Sequence, residues 1–376
     1  MPVAFPSEDE VILQPPDQDE AAVLARGVIG AVTPATGLSP LQRVLLQAVF
    51  RSMTGFSIDP SSVDPLGPDD FAAALRRRNL EFRTRITQVM LLGELVLDPV
   101  PEDVADRVLC YSAALGVDDA MIFATRGHAE GSLGLALVDF ERNGYTSHWA
   151  PERSAAVHTR VSLAEAWEPD CDDPELAARW AALEHCPPGS LGRRVFEFYR
   201  ARGFSFPGLP GSAPPHLAQH DWVHVLADYG TTVESELEVF GLIGRAIPDP
   251  RGFSLLAMVV GLFETGQVQR DGGIFEASPG HLSEEGMAER LADAMYRGAK
   301  CGRDLMGIDY FEYAGMAVEA VREELGIVPK SEGAILAGSV GPWQPGGISP
   351  FQVRAGTAAA DDEGRPYVSY GAEPPS

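Results

Sequence analysis

His220-Asp221-Trp222-Val223-His224, followed after eleven intervening residues by Glu236, constrains the fold of this chain more than any other feature. In a helix, residues four apart project from one face, one turn from each other, so both imidazoles can reach a single metal ion. Nitrogen and carboxylate donors of this kind suit zinc and similar divalent cations. One straight helix cannot add Glu236, because twelve residues of rise carry it roughly 18 Å along the axis. Gly230 resolves this by ending the first helix, and Thr231 with Glu234 forms a capping-box pattern that starts the next. The chain therefore has to reverse there, bringing Glu236 across from the histidines. Asp221 points about 100° away from His220 on the helix, either as a ligand at the rim or as a group that orients one. His216, one turn earlier, reads as a helix-entry histidine after Pro214-Pro215.

The remainder of the sequence predicts an all-α protein. Segments with helical apolar spacing cover residues 21–32, 41–53, 71–97 (in two pieces) and 104–115. Ser39-Pro40 supplies an N-cap and an N1 proline for the second of these. A second set covers 191–202, 216–229, 233–245, 253–263, 283–298 and 313–325, separated by Gly and Pro loops. At 376 residues the chain exceeds the usual size of a single core. The expected organisation is two helical domains, 20–140 and 187–328, joined by an irregular connector over 141–186. Residues 1–19 are acidic and Pro-interrupted, and 329–376 are rich in Gly, Pro, Ser and acids, so both ends are expected to be disordered tails. His148, His158 and His185 occur singly in the connector and read as surface or hydrogen-bonded side chains.

Charge excludes some functions. The formal net charge of −25 opposes binding to nucleic acid phosphates and electrostatic docking on anionic lipid. Cys110, Cys171, Cys186 and Cys301 form no CxxC pair, which fits a reduced, cytoplasmic setting. The longest apolar run, 253–263, is too short to span a bilayer and reads as a core helix. Other metal motifs fit less well: zinc proteases of the HExxH type place a Glu where Asp221 stands, and Asp is too short for the same reach.

Two resemblances follow from these residues. The paired helical hairpins near 21–53 and 86–115 resemble, in layout, the TerB-like family of small helical domains. In that setting Glu94 and Asp98 are either cation ligands or acids at a solvated helix end. The pattern HDxxH followed by Glu resembles the signature of the coenzyme Q biosynthesis protein 4 family, and His220, Asp221, His224 and Glu236 match every position. Around it, Pro187-Pro188-Gly189-Ser190-Leu191-Gly192, Thr231-Thr232-Val233-Glu234-Ser235-Glu236-Leu237, Arg297-Gly298-Ala299-Lys300 and Val321-Arg322-Glu323-Glu324-Leu325-Gly326-Ile327 resemble the family's segments in the same order. This second resemblance covers residues 187–328.

The second resemblance implies a helical protein in which those four side chains hold a divalent metal, zinc above all, beside an apolar groove of lipid size. It implies a lyase-type activity, the oxidative decarboxylation of a prenylated 4-hydroxybenzoate-like aromatic acid. The alternative is a metal-containing, lipid-binding scaffold without catalysis. Phe240, Ile243, Phe253 and Phe263 are the candidate groove residues, or ordinary core. Expected partners are a lipophilic aromatic or isoprenoid molecule, other proteins of quinone synthesis, a second copy of the chain, and peripheral contact with the inner face of a membrane.

Overall fold

In the computed structural model, residues 15–97, 101–117, 173–210, 212, 213, 215, 217–247, 256, 260 and 280–372 are described. Among them are thirteen α-helices and no β-strand; residues 190 and 317 form an isolated bridge. The all-α expectation is met.

The N-terminal helices are α1 (Gln18–Val32), α2 (Pro40–Thr54), α3 (Pro68–Ala74), α4 (Leu80–Leu95) and α5 (Glu102–Ala114). Local chemistry sets their ends. Ser39 and Gln42 exchange side-chain-to-backbone bonds in a full capping box, with Pro40 just inside, and Gly55 closes α2 at φ 79°. Gln42 then serves a second purpose from its fully buried position. Its amide donates to Val32 O (2.9 Å) and Gly93 O (2.8 Å), tying α1, α2 and α4 together. The expected break between 71 and 97 falls at residues 75–79, where Asn79 caps α4 by accepting from the Phe82 N–H.

The remaining helices are α6 (Pro174–Ala181), α7 (Leu191–Arg202), α8 (Gln219–Ala227), α9 (Val233–Ala246), α10 (Met287–Cys301), α11 (Val318–Leu325), α12 (Glu332–Leu336) and α13 (Pro350–Asp362). Helix α10 organises the molecule, packing on α9 on one side and on α2 on the other. Its approach to α9 is close because small residues line the seam. A Cβ on Gly298 would stand 2.3 Å from Leu242 O, and one on Gly241 would stand 2.7 Å from Leu291 Cδ1. The apolar core is accordingly continuous, running from Leu24 and Leu45 through Met295 to Val321 and Ile327.

The described part of the C-terminal segment is not a free tail. It carries α12 and α13, and α13 packs on α7. Its glycines serve close packing. A Cβ on Gly356 would stand 2.5 Å from Ala201 O, and one on Gly203 would stand 2.5 Å from the carbonyl carbon of Ala355. Arg202, fully buried, donates to the carbonyls of Pro342 (3.2 Å) and Gly347 (2.9 Å), so the Gly- and Pro-rich turn is held by a charged clamp. Of the expected connector, 173–186 is described and forms α6 and a 3-10 turn, in which His185 is exposed. His148, His158, His216, Asp98, Phe253 and Phe263 lie outside the described residues.

Candidate metal centre

Helix α8 is only nine residues long, and every side chain from His220 to Ala227 is buried. Three polar side chains, His220, Asp221 and His224, therefore enter the core on this helix. The helix does not run to Gly230 as the sequence suggests. Asp228 adopts the left-handed conformation (φ 61°) and stops it, with its carboxylate 3.4 Å from Lys330 Nζ. The restart also differs by one residue. Thr232 is the N-cap of α9 and accepts from Ser235 N–H, whereas the Thr231 hydroxyl donates to Gln352 Oε1 (2.5 Å). The reversal itself is as expected, and it turns Glu236 back onto α8.

His220, Asp221 and His224 converge, and Glu236 reaches both imidazoles. Glu236 Oε2 lies 3.2 Å from His224 Nε2 and 3.6 Å from His220 Nε2, and Asp221 Oδ1 lies 3.8 Å from His220 Nε2. One ligand atom from each of His220, Asp221 and His224 lies within 4.8 Å of the other two. Donors about 2.0–2.2 Å from a tetrahedral centre stand about 3.3–3.6 Å from one another, and the two separations from Glu236 to the imidazoles lie close to that range. All four residues are 0% exposed.

Neighbouring groups orient the donors. His220 Nδ1 bonds to the carbonyl of Leu217, which leaves Nε2 to face the centre. Tyr199, on α7, donates from its hydroxyl to Asp221 Oδ2 (2.5 Å). Phe240 stacks on the His220 ring at 5.3 Å and Phe198 on the His224 ring at 5.7 Å, forming apolar walls. The Arg202 guanidinium lies 3.8 Å from the Phe198 ring centroid, linking the C-terminal clamp to that wall. Phe240 and Ile243 are thus buried within the core, with Phe240 at the centre itself.

Electrostatics fit a cation. A carboxylate costs several kcal/mol to bury unless a positive charge compensates it. Burial pushes the Glu236 carboxyl up. The charges and hydrogen bonds of His224 and His220 outweigh that and hold it well below the usual carboxylate range. Glu236 Oε1 is buried and has no hydrogen-bond partner. A divalent ion would neutralise the two acids and satisfy the donor set.

A second group, Glu234, His281 and Glu284, is partly exposed, and His281 Nδ1 bonds Glu234 Oε1 at 2.6 Å. Such partly solvated clusters are common without an ion. Glu94 is buried at the end of α4. Tyr199 and Phe198 carry no sequence signature: their roles depend on α7 crossing α8, which no spacing rule reveals.

These features define an all-helical protein with a buried two-histidine, two-carboxylate centre. No family model matches the chain, and no curated protein or solved structure matches it. Among the described residues, no helix is long and apolar enough to cross a membrane.

Proposed function

We propose that this chain is a metal-dependent enzyme of the quinone-biosynthesis type. Its substrate is a lipophilic aromatic acid, a prenylated 4-hydroxybenzoate or a close analogue, and its reaction is decarboxylation of the ring: the ring–carboxyl bond breaks to release CO2, and where a hydroxyl takes its place an external two-electron oxidant such as dioxygen supplies the oxygen and accepts the electrons. His220, Asp221, His224 and Glu236 hold the metal, with zinc the first choice. The reading rests on Glu236 Oε2 standing 3.2 and 3.6 Å from two imidazole nitrogens carried by another helix. The donor set supports catalysis over a purely structural site, because structural zinc is generally held by cysteine-rich sets, while histidine and carboxylate recur at catalytic centres.

A divalent cation bound there supplies Lewis acidity toward a carboxylate or phenolate and lowers the pKa of a coordinated water. The protein supplies the setting. His220 is held by Leu217 with one nitrogen directed inward, Asp221 is held by Tyr199, and Phe198 and Phe240 keep the surroundings dry. Low polarity around the donors strengthens every charge interaction made with the departing carboxyl group. The same setting suits a cytoplasmic protein that takes its substrate at the inner face of a membrane and works with other proteins of the pathway.

One observation favours a second reading. All four ligating residues are 0% exposed, which suits a closed shell in a non-catalytic, lipid-binding scaffold. Metal analysis of purified wild type beside His224→Ala, with extraction and mass spectrometry of bound lipid, tests both. The enzyme reading expects one metal per chain and an isoprenoid aromatic recovered only with the metal-bearing form. It also expects the visible spectrum of cobalt-substituted protein to change on adding a prenylated 4-hydroxybenzoate. A cobalt spectrum insensitive to the acid leaves the scaffold, and a wild type that binds no metal removes both.

A further inference from the structure

Asp221 poses a geometric problem for its own helix. It directly follows His220, so its side chain leaves the helix about 100° away from the imidazole it must join. A short side chain does not settle into that position without a group to hold it. The holding group comes from α7, where Tyr199 places its hydroxyl 2.5 Å from Asp221 Oδ2 while Oδ1 is turned toward His220 Nε2 at 3.8 Å.

Tyr199 has little freedom to do otherwise. It is fully buried, with Trp180 at 5.0 Å, Phe206 stacked at 5.5 Å and Phe204 edge-on at 5.7 Å between ring centroids. Trp180 in turn packs on Trp222, the residue that follows Asp221 (5.4 Å). The aromatic wall thus fixes the phenol ring and the helix bearing the carboxylate together.

We propose that Tyr199 is the positioning residue of the centre: its hydroxyl binds one oxygen of Asp221 and thereby presents the other to the metal. This rests on the metal-centre reading above. A hydrogen bond donated to a ligating carboxylate fixes its orientation and withdraws negative charge from it, so the hydroxyl sets both affinity and the electrophilicity of the bound ion.

The test is zinc affinity, measured by chelator competition on the full chain. Y199F keeps the ring in its aromatic wall and removes only the hydroxyl. The expected result is a 10- to 100-fold weaker affinity for zinc, the range typical when an outer partner of a ligand is lost. The d–d bands of cobalt-substituted Y199F should also shift from those of wild type. F206L loosens the wall yet keeps the hydroxyl, and should bind zinc within about threefold of wild type. In a D221N background, removing the hydroxyl should weaken zinc no further. Equal affinity of Y199F and wild type overturns the proposal, as does an F206L loss matching that of Y199F, or an undiminished effect in D221N. Wild type that binds no zinc overturns the metal-centre reading itself, which separates the two failures.

Discussion

Glu236 Oε2 lies 3.2 Å from His224 Nε2, across a reversal that begins at Asp228 and is capped by Thr232. Two helices are thereby joined by side chains that each would be costly in an apolar core. A ligand binding only the folded state adds stability by mass action, about 2.7 kcal/mol at a hundred times its dissociation constant. Calorimetry should therefore show the melting temperature rising on addition of zinc and falling with a chelator. Glu236→Gln, which keeps shape and removes charge, should abolish the zinc-dependent rise.

The contact between α9 and α10 rests on the absence of a side chain. A Cβ on Gly298 would stand 2.3 Å from Leu242 O, a backbone atom with no room to move. Gly298→Ala is expected to destabilise the fold by about 1–3 kcal/mol in denaturant unfolding. Gly364→Ala serves as a control for packing, since nothing lies within 4 Å of a Cβ there; its φ of 65° leaves only local backbone strain.

Arg202 connects the C-terminal segment to the turn between the ligand-bearing helices. It donates to Thr231 Oγ1 (2.9 Å), Phe198 O (3.3 Å), Pro342 O and Gly347 O. Arg202→Met leaves those carbonyls short of donors and should cost about 2–4 kcal/mol. Hydrogen exchange should speed up at Gly230 and Thr231, whose N–H groups bond Val340 O and Gly347 O, before it does elsewhere.

Acid should reveal the Glu234–His281 pair. Burial raises the Glu234 carboxyl, but the hydrogen bond from His281 and backbone bonding outweigh it and bring it to about 2 from 4.5. A carboxyl with a depressed folded-state pKa stabilises fully above its unfolded value and loses that contribution as pH falls toward the folded one. The window is therefore pH 4.5 down to 2. Solvent screening limits the effect to about 1–2 kcal/mol. Unfolding curves for Glu234→Gln should show a flatter dependence on pH in that window than wild type.

The parts of this structure that were legible in the sequence are those decided locally. Ser39 and Pro40 mark an N-cap and a first-turn proline in two neighbouring residues, and residues 191–202 carry apolar spacing between Ser190 and Gly203, so both helices fall where expected. The meeting of His220, His224 and Glu236 was legible because helical spacing and a chain reversal suffice to bring them together. Asp228 as the stop of α8 was not, since Gly230 two residues later offers the stronger stop signal and an aspartate takes the left-handed conformation only occasionally. Nor was the ordered C-terminal segment. Its Gly and Pro content matches that of a flexible tail, although Ser349, Pro350 and Gln352 carry at the start of α13 the same capping pattern as Ser39, Pro40 and Gln42, and the burial of Gln352 and the clamp of Arg202 hold the segment in place. Phe240 illustrates a third case: the sequence marks it as apolar, but only packing places it flat against His220.

The most direct measurement is metal content per chain, by elemental analysis after exhaustive dialysis, for wild type, His224→Ala and Glu236→Gln. One equivalent of zinc or a similar divalent ion in wild type, and less than a tenth of that in either variant, is the predicted result. Wild type without metal, or a Glu236→Gln protein that retains a full equivalent, would contradict a centre shared between α8 and α9.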